Sequence, residues 1–301
     1  MVKCKEKALS TKRIEQKITL KKTVLEKDPL CVEDFLQFYT RLNKNIVEEI
    51  LEKGGFWIQA SNQKKLLRCR TGKTKLQKGD RLEMYYDPEI LAISPPKAHL
   101  IEEEKLWGAW YKPAGLLSQG TKYSDHASLL RQVEKAKGKA YLVHRLDREA
   151  SGLMLIAYSS QGASLLSKLW QEQKIQKCYL VEVLKGQNPF DQKQGEITIP
   201  LDGQKACTKF RVLEHKEKTC LLMVELQTGR LHQIRRHMEQ IGHPVMGDPL
   251  YGKGNKNSEG MMLVSYSLEF THPINKKKIL YQVKDDCIAK SMETPEVAME
   301  L

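Results

Sequence analysis

Nowhere in the 301 residues is there a run approaching the roughly 18 consecutive apolar side chains that a membrane-spanning helix requires, so no such helix is expected. The segment from Met1 to Lys27 is basic and broken by charges, and it lacks the apolar core of a secretory signal. Cysteine is sparse in pattern: seven residues, an odd number, widely spaced and without a C-x-x-C pair. That excludes a disulfide framework, leaves no ligand pair for a structural zinc, and points to a reducing, cytoplasmic setting. There is no internal repeat and no glycine-rich phosphate loop. With 41% apolar and 29% charged residues, the chain has enough material for a core, which argues against wholesale disorder and against a fibrous repeat.

What is present in excess is positive charge. Lys and Arg number 50 against 37 acidic residues, a formal charge of +13. The stretch 61–81 carries eight basic side chains against Asp80 alone, and the first 30 residues are also basic, whereas the segment from Lys284 onward is acidic. Such a surplus favours polyanions such as RNA, DNA or an acidic membrane, although a merely basic soluble protein has the same composition.

Ser94-Pro95-Pro96-Lys97 reads as a linker, because two prolines hold the chain extended. It divides an N-terminal basic domain (1–96) from a larger domain (97–285) and a polar tail (286–301). In the first domain, Val32 to Lys53 reads as helical, with stripes of Leu36, Tyr39 and Leu42 and of Ile46, Val47, Ile50 and Leu51, stopped by Gly54-Gly55. Strands are expected at Phe56–Ile58 and Arg81–Tyr86, then at Leu106–Trp110, Leu153–Tyr158, Tyr179–Leu184, Cys220–Leu226 and Met261–Phe270. Ser160 is placed to cap a helix, and Leu231, Ile234, Met238 and Ile241 form one core-facing helical stripe. Strand runs dominate without strict alternation with helices, so the expected class is mixed α+β with a largely antiparallel sheet and a small N-terminal α/β domain.

Two constellations could carry chemistry. In His144-Arg145-Leu146-Asp147-Arg148-Glu149, an extended backbone would put Arg145 and Asp147 on one face and Leu142, His144 and Leu146 on the other. A carboxylate beside a cation at the mouth of a sheet suits directed chemistry, and equally suits a surface salt bridge. In Gly229-Arg230-Leu231-His232-Gln233-Ile234-Arg235-Arg236-His237, Arg230 and Arg235 could contact phosphate or hold a carboxylate, unless this is only a solvated helix face. His232 and His237 are five apart, which is wrong for a helical zinc pair. Tyr179, in the alternating run Lys177–Val183, is either a core aromatic or a platform for a flat ligand.

In this order, the segments KPAGLL (112–117), HRLDREASGLML (144–155), KCYLVEV (177–183), GRLHQIRRH (229–237) and GHPVMGDPLYG (242–252), with FTHP (270–273), resemble the RluA-type family of RNA pseudouridine synthases over roughly 105–283. The resemblance implies an isomerase that needs no metal or nucleotide cofactor. Asp147 then matches the catalytic aspartate, Arg145 the arginine that fills the space left by the flipped uridine, Tyr179 the tyrosine on the target base, and Arg235 the partner of the aspartate. His144, Arg230 and the basic residues Lys64, Lys65, Arg68, Arg70 and Lys73 are the expected RNA contacts. Ala150, Leu231 and Val264 depart from the family pattern, at places where Thr, Thr and His are usual. Around Glu52–Gly55 and Lys78–Leu82 the first domain resembles an alpha-L RNA-binding module in part, without its arginine-rich helix. Large-subunit ribosomal RNA is the favoured partner, with transfer RNA open and no membrane. Whether Asp147 acts as nucleophile or base stays open. The competing readings are a non-catalytic RNA-binding or ribosome-assembly protein, and a nucleoside or glycoside hydrolase, which would need a second placed carboxylate.

Overall fold

The structure, a computed structural model, describes residues 16–186, 193–252, 255, 257 and 259–284. Cys4, Cys287 and the 286–301 tail lie outside the described residues. The chain divides into two compact units. The first takes the residues up to Ser94 together with Gly120–Ala127, and the second takes Pro95–Gln119 and the chain from Ser128 onward.

The first unit contains β1 (Ile18–Thr23), α1 (Val32–Thr40), α2 (Lys44–Lys53), β2 (Phe56–Gln59), β3 (Leu67–Arg68), β4 (Arg81–Tyr86) and α3 (Pro88–Leu91). Its four strands form an antiparallel sheet in the order β1-β4-β2-β3. The single helix expected over 32–53 is two helices. Arg41 adopts a left-handed conformation (φ 60°) that ends α1, and the Asn43 side chain accepts from the Ile46 N–H to start α2. The break turns two apolar stripes onto one core, where Phe35, Leu36, Val47, Ile50 and Leu51 meet Phe56, Leu82 and Met84.

The second unit contains β5 (His99–Glu103), β6 (Trp107–Lys112), α4 (Leu129–Lys137), β7 (Tyr141–Leu142), β8 (Ser151–Ala157), α5 (Ser160–Gln171), β9 (Gln176–Leu184), β10 (Gln194–Ile197), β11 (Thr208–His215), β12 (Thr219–Leu226), α6 (Gln233–Gln240), β13 (Leu263–Thr271) and β14 (Lys278–Gln282). Its sheet runs β10-β11-β12-β9-β13-β8-β6-β5, with β14 beside β13 and β7 beside β8. Every pairing between the named strands is antiparallel except β13 with β8, which is parallel over Val264–Ser151 and Ser265–Gly152. There the backbones approach so closely that a Cβ on Gly152 would lie 2.3 Å from the Ser265 carbonyl oxygen, and Gly152 has φ 109°. Glycine is thus required where β8 emerges from the Asp147 loop. Ser159, one residue before the expected Ser160, caps α5.

Both faces of the sheet are covered. Along β8, Leu153 and Leu155 enter one apolar cluster while Met154 and Ile156 enter the other. Along β9, Tyr179, Val181 and Val183 share the second of these clusters with Ile234 and Met238 of α6. The period-two alternation of β9 therefore sends Tyr179 toward the α6 side of the sheet. The Leu231 stripe is not continuous: α6 begins only at Gln233, and Leu231 stands outside it and exposed.

Candidate active site

The loop between β7 and β8 is unpaired backbone, yet alternate residues of it are tied down. After β7 ends, the His144 ring takes over, its Nε2 accepting the Leu155 N–H of β8 at 2.8 Å. The Ser118 hydroxyl donates to the Leu146 carbonyl at 2.6 Å and accepts from the Leu146 N–H at 3.0 Å. The Arg148 carbonyl accepts from the Gly115 N–H at 2.7 Å and from Lys112 Nζ at 3.2 Å. Pinning 144, 146 and 148 leaves the intervening Arg145 and Asp147 side chains facing a cavity of about 440 Å³. His144 and Leu146 line the same cavity, so the two-faced alternation expected for 142–147 is not kept there.

Lys112 explains part of the KPAGLL segment. It is fully buried, and its Nζ also donates to the carbonyls of Pro113 and Leu116. Three carbonyls match the three donors of an ammonium group. Burial pushes its pKa down to about 7, against the pull of Glu149 and Asp147.

Asp147 Oδ2 accepts from Arg235 Nη1 at 2.8 Å, and Oδ1 lies 3.6 Å from His232 Nε2. Arg235 is not on a solvated helix face: it is 1% exposed. Its Nε and Nη2 donate to the two oxygens of Asp248 at 2.6 and 2.8 Å. Burial works against the guanidinium charge, but Asp248 and Asp147 outweigh it and raise its pKa. Burial likewise opposes the Asp248 charge, and Arg235 with the Leu250 and Tyr251 N–H groups overcomes it, lowering the Asp248 pKa. The Tyr251 ring lies 5.1 Å from the guanidinium carbon, and its hydroxyl is 3.2 Å from His232 Nδ1. Tyr179 is buried beside the same cavity, and burial pushes its hydroxyl up to about 12. Gln233 fixes the preceding turn, its Oε1 accepting from the Arg230 N–H at 3.0 Å and its Nε2 donating to the Cys207 carbonyl at 2.9 Å.

The cavity thus gathers His144, Arg145, Asp147, Tyr179, Arg230 and Arg235 from three sequence motifs. For three of the expected contacts the structure supplies other partners. His144 lines the cavity but is also tied into the fold: its ring stacks on Trp170 at 3.9 Å, its Nε2 is taken by Leu155, and burial with Lys177 nearby pushes it down to about 3, so it is no cation for phosphate. Arg68 and Arg70 are not free basic contacts, since both pair with Asp125 of the first unit. Arg68 also lies 4.1 Å over the Trp57 ring and donates to the Gly54 and Thr121 carbonyls. Lys64, Lys65 and Lys73 are exposed. Reading the sequence missed Asp248, Tyr251 and Gln233. The turn-rich segment 242–252 reads as a loop able to frame a cleft, but nothing local says which cation its aspartate will meet. Among the described residues, no group of three or more His, Cys, Asp or Glu could hold a metal ion, and no helix is long and apolar enough to cross a membrane.

Residues 108–240 match the family described as RNA pseudouridylate synthase. A Vibrio parahaemolyticus protein, "Dual-specificity RNA pseudouridine synthase RluA", is 33% identical over 210 residues, covering 61% of this chain and 83% of that protein. The chain belongs to the RNA pseudouridine synthase family. It is an isomerase of the RluA type, acting on RNA. A Mycoplasma genitalium relative, "Uncharacterized RNA pseudouridine synthase MG209", is 34% identical over 59% of this chain and 63% of its own length. The Nitrosomonas europaea "Ribosomal large subunit pseudouridine synthase D" is 31% identical over 64% of this chain and 61% of its own length. The chain therefore spans under two thirds of these last two relatives. The fold is shared with the solved structure "Human RNA Pseudouridylate Synthase Domain Containing 1", at a TM-score of 0.54 and 20% identity over 64% of this chain and 86% of that one.

Proposed function

We propose that this synthase converts specific uridines of large-subunit ribosomal RNA to pseudouridine, with Asp147 as the catalytic carboxylate and the target base turned out of its stack. The observation that carries the reading is the placement of one carboxylate, held by the buried Arg235, at a cavity that also exposes part of the Tyr179 ring. The reaction breaks the bond from ribose C1′ to uracil N1 and makes one from C1′ to C5. The C5 proton is lost and N1 gains one, so neither water nor an oxidant is consumed. Charge that builds on the sugar as the first bond breaks is stabilised by the Asp147 anion. The same carboxylate has the chemistry for either role left open, addition to C1′ or removal of a ribose proton.

The target must leave its stack to enter the cavity. Arg145, exposed and next but one to Asp147, suits the vacated space, and Tyr179 suits the face of the captured base. The exposed Lys64, Lys65 and Lys73 suit attachment to RNA phosphates. The ribosomal target is supported by the Nitrosomonas relative's name. Cys31, Cys69, Cys178, Cys207 and Cys220 are free thiols, which suits work in the cytoplasm. The test is to map pseudouridine in total RNA from cells with and without the protein, and with Asp147→Asn in its place. Loss of one or a few large-subunit sites in both the deletion and the variant is expected. An unchanged map would overturn the function, and full rescue by Asp147→Asn would overturn the role of the carboxylate.

A further inference from the structure

Of the two most exposed leucines of the second unit, Leu231 (61% exposed) lines this cavity, and Leu250 (68%) lies in the turn whose Tyr251 meets the cavity's His232. Both belong to segments that otherwise serve the catalytic ion pairs. Leu231 is expelled from the apolar stripe because His232 adopts a left-handed conformation (φ 52°) at the start of α6, and it lines the cavity. Leu250 is held out by the turn in which its N–H donates to Asp248 Oδ1 at 2.8 Å. Each leucine immediately precedes one of two rings that meet each other, His232 and Tyr251, whose centroids are 5.8 Å apart and edge-on. Arg145 and Arg230 of the cavity lining are exposed, as is Lys205, whose carbonyl accepts from Arg230 Nε at 3.0 Å.

This is a mixed rim. Cations can hold phosphates but give no grip on the apolar faces of bases, and an exposed leucine does the reverse. A single exposed leucine is ordinary, but two on segments joined by the His232–Tyr251 contact, beside a cation-lined cavity, offer an apolar surface to whatever enters it. The surrounding positive charge selects one attached to a polyanion. We propose that Leu231 and Leu250 form an apolar lip that packs against the nucleobases flanking the target uridine and replaces the stacking lost when that uridine leaves a folded RNA. The inference rests on the function proposed above and adds to it: Arg145 fills the vacated position, whereas the lip holds the neighbours. It makes the protein an opener of structured RNA, and the lip a determinant of which RNA contexts it accepts.

The test uses the full-length protein and the uridine identified by the mapping experiment, presented in two RNAs: a stem-loop, and an unstructured oligonucleotide with the same flanking bases. Single-turnover rates at saturating enzyme are measured for Leu231→Ser, Leu250→Ser, the double variant, and Leu231→Met with Leu250→Met. Leu280→Ser on β14, where Leu280 is also 50% exposed, is the control for loss of an exposed leucine. The double Ser variant should lower the ratio of stem-loop to oligonucleotide rate by about tenfold, since apolar side chains are what offset unstacking. The methionine pair should restore the ratio and Leu280→Ser should leave it unchanged. With 2-aminopurine beside the target in the stem-loop, the fluorescence change on binding should shrink in the Ser variants. Equal slowing on both RNAs, or no slowing, overturns the lip. So does a ratio that stays constant while sedimentation shows loss of a dimer, which would assign the leucines to self-association. If the wild-type protein modifies neither RNA, the proposed function fails first and the lip with it.

Discussion

Asp248→Asn is the sharpest probe of how the site is built. The Asp248 side chain has no solvent exposure and Arg235 has 1%, so their bidentate pair is removed from water. Asparagine keeps one oxygen for the Leu250 and Tyr251 N–H groups, so the turn can persist. Its amide nitrogen, however, turns a donor toward a guanidinium that already donates. Arg235 is left with Asp147 as its one anionic partner. Removing one member of a buried pair costs about 3–5 kcal/mol, and the surviving Asp147 contact places this case near about 3 kcal/mol. Relieved of Asp248, the guanidinium can swing, carrying the Asp147 carboxylate with it. A loss of 1 Å in placement of a reacting group costs about a hundredfold in rate, so single-turnover pseudouridine formation should fall by at least tenfold. Urea unfolding of the second unit, read from Trp107, Trp110 and Trp170, checks the stability. The double variant Arg235→Met/Asp248→Asn removes the stranded charge and should be more stable than Asp248→Asn alone, while staying inactive. Wild-type stability in Asp248→Asn, or a double variant less stable than Asp248→Asn, would refute the ion-pair reasoning.

Asp147→Asn should abolish pseudouridine formation while RNA affinity, measured by filter binding, stays within a few-fold. Replacing Lys64, Lys65 and Lys73 with Ala should flatten the salt dependence of RNA binding by roughly 0.7–0.9 log units per lost phosphate contact. By contrast Arg68→Ala should loosen the first unit, seen as faster amide exchange in β2 and β3, because Arg68 is paired with Asp125 and stacked on Trp57. Lys112, with a pKa near 7 when folded and 10.5 as its ordinary value, is protonated in the unfolded chain but not in the folded one between these limits. Its share of stability therefore grows as pH rises from about 7 toward 10.5, and the gap between wild type and Lys112→Met should widen over that range in urea titrations. Asp248 has the opposite dependence. Its pKa is held below 3.8, so its contribution is intact above that pH and is lost as pH falls below it, an acid limb that Asp248→Asn should lack.

Several features were decided by the sequence alone. Alternation in β9 is local, and it puts Tyr179 in one cluster with Val181 and Val183. The mixed, antiparallel-rich class follows from the runs of strand residues. Motif order was enough to name the family, because chemistry restricts residue types more tightly than folding does.

Tertiary structure alone settled which charges meet. Asp125 and Asp248 are both acidic residues in turns. One closes on Arg68 and Arg70, 55 or more positions before it, and the other on Arg235, 13 before it. Charge pairing depends on distance in space, which no short-range pattern encodes. The same holds for His144 and Leu231. Residue type suggested an RNA contact for the first and a core position for the second. The ring of His144 is stacked on Trp170, and Leu231 is turned out at the cavity by the left-handed His232. A helical period cannot report where a helix begins. That start is set by the backbone conformation at one residue, and here it decides whether a leucine is buried in the core or left exposed at the active-site cavity.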